Sequence, residues 1–341
     1  MKHLKMLCAL SCAMFLAFTS YSQSSVEYMN SVLEPIAELK KETWNYMKAV
    51  TKGKGARKVE GKRMELIMGL KNAKREVAKI SDYKGDDNLR TEAEEYLGMS
   101  ITVLEEDFGK ILDMEDIAEQ SYDLMEAYLL AKEKANDKLQ AAGDELDAAQ
   151  RTFADANDIT LVEAESDKTS EKIKKAGKAL RYYNEIYLIF FKVYKQEAYV
   201  IDAQNRQDVM AMEQNINTLK ADAEAGLEKL AALEAFDGDK TLIAACKEAM
   251  EFYLDEAENT FPAMLNFYLA KDNFDKAKET FEATKKKDRT QKVVDKYNNA
   301  GKKYNEAVGE FNKVNESSND ERGDTLKNWN KSVDKFFSNH A

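Results

Sequence analysis

Residues 81–97, SDYKGDDNLRTEAEEYL, lie without a gap over residues 234–250, EAFDGDKTLIAACKEAM, when the chain is slid against itself by 153 positions. Gly85 meets Gly238, Asp86 meets Asp239, Leu89 meets Leu242 and Glu95 meets Glu248. Upstream, Leu66, Val77 and Ile80 meet Leu219, Leu230 and Leu233; downstream, Phe108 meets Phe261 and Leu112 meets Leu265. Further on, AGDELDAAQRTFADAN (142–157) matches AGKKYNEAVGEFNKVN (300–315) at a spacing of 158, which puts about five extra residues into the last helix region of the second copy. A period of this length is domain-sized and not that of a solenoid, so the pattern predicts a tandem duplication. Gly109 coincides with Pro262, and each weakens a helix interior, glycine through backbone entropy and proline through its missing N–H. Both copies are therefore expected to bend or break a helix at this place.

The repeat unit reads as helical. Only two prolines and 14 glycines occur in 341 residues, and the β-branched runs bounded by turn residues that strands need are scarce. In the first copy Tyr28, Val32, Ile36, Leu39, Tyr46 and Val50 trace one helical stripe, which the loop TKGKGARKVEGK (51–62) ends. A second helix is expected from about Met64 to Ile80, then the turn SDYKGDD with Asp87 as N-cap. A third is expected to the Gly109 break, and a fourth through Tyr122, Leu129, Leu139, Leu146 and Phe153 to about Asn157. Short connections favour antiparallel neighbours. The predicted architecture is all-α: two tandem-duplicated antiparallel four-helix bundles plus a short C-terminal amphipathic helix. The bundles fall at 23–157 and 179–315, joined by a charged, partly helical connector at 158–178. Residues 316–341 hold the linker NESSNDERGD, which starts at the bundle's last residue Asn315, and a helix carrying Leu326, Trp329, Val333, Phe336 and Phe337.

Residues 1–22 read as a secretory signal peptide: Lys2 and Lys5, an apolar run from Met6 to Phe18 too short to span a bilayer, then small polar residues. Ser20 and Ser22 place cleavage between Ser22 and Gln23. Cys12 after Ala9-Leu10-Ser11 offers a rival lipidation site, against which the apolar run continues beyond it. Cleavage would remove Cys8 and Cys12, leaving Cys246 as a lone thiol that packs in the small-residue slot of Ala93. The expected location is the periplasm, the cell surface or the medium.

Chemistry is bounded by what is scarce. His3 lies in the leader and His340 next to the end, so neither a metal site of the Glu-x-x-His kind nor Ser-His or Cys-His catalysis has its base. No metal, no cofactor and no enzymatic activity are expected, although paired carboxylates alone can do acid–base work if their pKa values are pushed apart. The net charge of −11 repels phosphate backbones and argues against nucleic acid.

Three local features compete with bland readings. The segment around Lys52, Lys54, Arg57 and Lys58 concentrates positive charge on an acidic chain. It reads as a solvated interhelix loop, or as an anion or acidic-partner contact without the pattern of a P-loop. The helix RYYNEIYLIFFKVYKQEAYV is the most apolar after the leader. It is expected as a central helix between the bundles, and Tyr183, Tyr187, Phe190 and Tyr194 could instead line a ligand groove. The acidic runs 92–95, 105–107 and 113–116 lack the alternation of a calcium loop and read as solvated faces.

The leader, the repeated helices and the Tyr-and-Asn openings of the two copies, EYMNSV from Glu27 and YYNEI from Tyr182, resemble bacterial surface proteins known from spirochaetes and Bacteroidetes. The resemblance implies export and carries no functional residue onto this chain. The functional expectation is a non-enzymatic binding or scaffolding protein, with a carrier of a small apolar or amphipathic ligand between the bundles as the alternative. The partner, whether a protein or a small molecule, and the oligomeric state stay open at this point.

Overall fold

The computed structural model describes residues 15–17, 23–52, 56–163 and 168–341. The Ser22–Gln23 junction, Cys8, Cys12 and Lys54 are not among them or stand at their margin. The described residues are all-α apart from one three-residue antiparallel pairing, β1 (Phe15–Ala17) with β2 (Leu161–Glu163). Two compact units divide the chain: the described residues up to Asn184 with Phe336–Ala341 form unit 1, and Glu185–Lys335 form unit 2.

Unit 1 contains α1 (Gln23–Glu38), α2 (Lys40–Thr51), α3 (Ala56–Val77) and α4 (Asn88–Thr102). A π-helical turn (Val103–Asp107), α5 (Phe108–Ala118) and α6 (Tyr122–Ala156) follow. Helix α2 packs on α3, α3 on α4, and α4 and α5 on α6. The predicted stripe does face inward: Val32, Ile36, Leu39, Tyr46 and Val50 are buried. It belongs to two helices instead of one, because the chain tightens at Leu39, whose N–H reaches the Ile36 carbonyl at 3.2 Å. Each such aliphatic side chain contributes about 1.5–3 kcal/mol by leaving water.

The loop expected at 51–62 is largely helix. Helix α3 starts at Ala56, some two turns before Met64, because Val59 and Arg63 give this segment an inward face. Asp87 holds the N-cap position of α4 but its side chain caps nothing; it pairs with Arg90 at 3.1 Å. The neighbouring Asp86 Oδ1 accepts from Asn88 N at 3.0 Å instead. Ser121 Oγ caps α6 by accepting from Leu124 N at 3.2 Å.

The second half begins with α7 (Lys168–Asn205), then α8 (Val209–Ala232) and α9 (Thr241–Asp255). A second π-helical turn (Glu256–Thr260), α10 (Phe261–Ala283), a 3-10 turn (Lys286–Asp288) and α11 (Gln291–His340) complete it. Helices α7 and α11 contribute residues to both units. Residues 315–324, expected as a linker, are helical, since Ser318 and Arg322 turn inward and hold α11 together there.

The spacing of 153 recurs in the backbone. Asn88 and Thr241 open helices of 15 residues, and the π turns follow at Val103 and Glu256. The next helices start at Phe108 and Phe261. Before them, Tyr83 pairs with Asp86 and Phe236 with Asp239 across matching turns. Gly85 and Gly238 adopt φ of 86° and 83° in those turns, a region open to glycine. The bend expected at Gly109 and Pro262 thus lies one turn upstream, where Phe108 N donates to the Val103 carbonyl and Phe261 N to that of Glu256. Pro262 then sits in the first turn of α10, where a missing N–H costs little.

Candidate functional site

The four residues considered for a ligand groove divide between the units. Tyr183 belongs to unit 1, where its ring lies 5.2 Å from that of Phe337. Tyr187, Phe190 and Tyr194 belong to unit 2. Phe190 is fully buried, stacked on Trp329 at 4.4 Å and on Tyr194 at 5.9 Å. Tyr187 is 7% exposed and packs against Phe191 at 5.7 Å. In unit 2 the faces of Phe190 are thus occupied by protein rings.

The basic segment of the first half is scattered. Lys52 caps the C-terminus of α2, a favourable place for a cation, whereas Arg57 and Lys58 lie exposed in the first turn of α3. Arg63, a few residues on, is drawn inward: it bonds Glu60 at 2.6 Å and donates to the Leu104 carbonyl in the first π turn.

A buried charged group that spacing gave no sign of sits at the second π turn. Glu197 on α7, Glu256 at the start of the turn, and Ser318 and Arg322 on α11 converge there. Arg322 donates through Nε to Glu197 and through Nη2 to Glu256, while Ser318 Oγ donates to Glu256 Oε1. Both carboxylates are all but fully buried, at 2% and 1% exposure. Burial, and after it the Glu197 carboxylate, pushes the Glu256 carboxyl well above the usual range, so it keeps its proton at neutral pH. Tyr253 beside them is raised too, by burial and then by Glu197. Burial of the two carboxylates leaves no water-exposed oxygen to meet a substrate, and what the group does is tie α7, the π turn and α11 together.

Unit 1 holds a lone counterpart in kind. Lys132 on α6 is 1% exposed, its Nζ has no hydrogen-bond partner, and it lies 4.8 Å from the Tyr128 ring centroid. Burial lowers its pKa to about 7 against a partial pull from Glu115. Cys246 is buried, with its thiol pushed far up by desolvation and its sulfur 3.9 Å from the Ile186 carbonyl, a packing role. Among the described residues no group of three or more His, Cys, Asp or Glu is placed to hold a metal ion, and no helix is long and apolar enough to cross a membrane.

The most distinctive surface is the hairpin of α10 and α11. Helix α10 has 23 residues where its counterpart α5 has 11. Along α10 Phe267, Phe274 and Phe281 recur every seven residues, the last two in the added length, and face Phe311, Tyr304 and Tyr297, which recur likewise. The ring centroids are 4.6, 5.4 and 4.6 Å apart in those three pairs. Ala270, Ala277 and Ala307 fill the alternate seam positions and are buried. Gly301 admits the Phe274 ring, whose edge would lie 3.3 Å from an added Cβ. This is a two-stranded antiparallel coiled coil, and its seam aromatics are half-buried. Arg289 closes its tip, donating to the Phe281 and Thr284 carbonyls at 3.2 and 3.0 Å and covering the Phe281 ring at 4.0 Å. The heptad spacing was there in the sequence; its aromatics half-exposed on a long hairpin were not anticipated.

The chain matches no known protein family, no curated protein and no solved structure.

Proposed function

We propose that this is an exported, non-enzymatic scaffolding protein, built from a duplicated helical unit whose second copy carries a projecting hairpin as its working surface. The observation that carries this reading is the α10–α11 hairpin: its first helix is twice the length of α5, and its seam is built of aromatic heptads that stay half-buried. The recurrence of turns, π turns and helix starts at one spacing supports the duplication. The tied-up carboxylates of Glu197 and Glu256 favour structure over catalysis. The occupied faces of Phe190 favour core over carrier.

Export has a particular consequence here. Cleavage before Gln23 would remove β1 and leave Leu161–Glu163 without its strand partner. N-terminal sequencing of the protein from the envelope of its own host should begin at Gln23. Native mass spectrometry of the same material should give the mass of the polypeptide alone; a bound mass of a few hundred daltons, released on denaturation, would replace the scaffold with the carrier.

A further inference from the structure

The hairpin tip has a charge pattern that the rest of α10 and α11 does not. From Lys285 to Lys296 there are six Lys or Arg against two Asp or Glu, on a chain of net charge −11. On the shaft three lysines are neutralised locally: Lys271 pairs with Asp275 at 2.8 Å, Lys276 with Asp272 at 2.6 Å and Lys302 with Glu306 at 3.8 Å. At the tip Lys285, Lys286, Lys287, Lys292 and Lys296 are exposed, and among the described residues none pairs with a carboxylate. Arg289, committed to closing the turn, cannot stand in for them.

The structurally equivalent hairpin end in the first copy, between α5 and α6, is the reverse. From Asp113 to Glu126 there are six Asp or Glu and no Lys or Arg. Glu119, Asp123 and Glu126 are exposed at this turn and have no cationic partner among the described residues, Glu126 accepting only from Tyr122 at 3.0 Å. Ile117, 42% exposed, adds an apolar contact in their midst. One chain therefore presents basic side chains at one hairpin end, Lys285, Lys286, Lys287, Lys292 and Lys296, and acidic ones at the other, Glu119, Asp123 and Glu126, outside any ion pair among the described residues.

We propose that the basic tip of the α10–α11 hairpin docks on the acidic α5–α6 end of a second copy of this chain. Such a contact joins unlike surfaces, so copies associate head to tail, as a closed ring or an open chain. It is steered by opposite charge and weakened by salt, since screening at 0.15 M acts over about 8 Å. The inference rests on the scaffold reading, giving its working surface a partner.

The test is sedimentation velocity of the full chain at rising concentration in 50 mM and 500 mM salt. Self-association is expected at low salt and its loss at high salt. A tip variant (Lys285→Glu, Lys286→Glu, Lys287→Glu) and an end variant (Glu119→Lys, Asp123→Lys, Glu126→Lys) should each associate at least about tenfold more weakly, because each reversal replaces attraction by repulsion. Mixed in equal amounts, the two should associate again, since each supplies the end the other lacks. A monomer under all conditions, or association indifferent to both variants, overturns the proposal. So does a wild-type chain that stays monomeric in solution yet floats with phosphatidylglycerol vesicles in a tip-dependent way, which would make the partner a lipid surface. Circular dichroism on both variants guards against misfolding. The scaffold reading fails by a different result, a retained ligand mass, so the two can be told apart.

Discussion

The indole of Trp329 lies on the ring of Phe190 with centroids 4.4 Å apart and planes 7° from parallel. Both side chains are buried, at 2% and 0% exposure, so the pair is core and not platform. Trp329→Ala should lower the stability of the chain by about 3–5 kcal/mol, the cost of removing a large buried aromatic. Chemical denaturation measures this. A loss below about 1 kcal/mol would mean that the α7 face is open enough to refill, and would bring the ligand groove back.

The Glu197–Arg322–Glu256 group makes a prediction about which charge matters. Glu256 is protonated in the folded protein, so Glu256→Gln replaces one neutral acceptor by another and should cost less than about 1 kcal/mol at pH 7. Arg322→Ala leaves Glu197 buried without its cation and should cost about 3–5 kcal/mol. The pH dependence has a definite sign. Because the folded pKa of Glu256 is raised, its contribution is complete below the unfolded carboxyl pKa and is lost as pH rises through the folded value. Stability measured from pH 5 to pH 9 should therefore fall less steeply in Glu256→Gln than in the wild type.

Lys132 gives the opposite slope. Its folded pKa lies at about 7, below the ordinary 10.5, so above pH 7 the unfolded chain binds a proton that the folded one does not. Its contribution to stability rises with pH between those two values. Lys132→Met, which keeps the shape and removes the charge, should be about 2–4 kcal/mol more stable than the wild type at pH 7, with the gap closing toward pH 10.5. Urea denaturation at pH 7 and pH 10 reads both numbers, and a gap that grows with pH would overturn the assignment.

How far these features could be read beforehand depended on the range of the interaction that makes them. The all-α class and the inward stripe from Val32 to Val50 are local periodicity, and periodicity shows in any window of the chain. The turns at Tyr83 and Phe236 were visible because a Gly-Asp pair demands a particular backbone. The π turns were misplaced by a few residues toward Gly109 and Pro262, the residues that weaken a helix, since the extra residue of a π turn has no side-chain signature of its own. The loop at 51–62 was misjudged because its glycines outweighed Val59 and Arg63, whose inward face depends on Leu104, 41 residues beyond Arg63. Arg322 and its two carboxylates are 125 and 66 residues apart in the chain. No spacing rule joins such residues, and only the packing of α11 does. Cys246 was placed correctly in a packed slot because its alignment with Ala93 was itself a statement about size.

The paired turns allow a test of equivalence that uses no ligand. Gly85 and Gly238 hold φ of 86° and 83°, and neither would bring an added Cβ within 4 Å of another group, so a side chain there meets backbone strain alone. Left-handed backbone costs an L residue about 1–2 kcal/mol. Gly85→Ala and Gly238→Ala should each lower stability by that amount, agree within about 0.5 kcal/mol, and add in the double variant, as sites without shared partners do. Scanning calorimetry also shows which transition each one moves. If Gly85→Ala moves one transition and Gly238→Ala a second, the repeated segments stabilise separately folding units; if both move a single transition, the chain unfolds as one cooperative body. Unequal costs would mean that the two turns share a sequence pattern and a conformation but bear different loads.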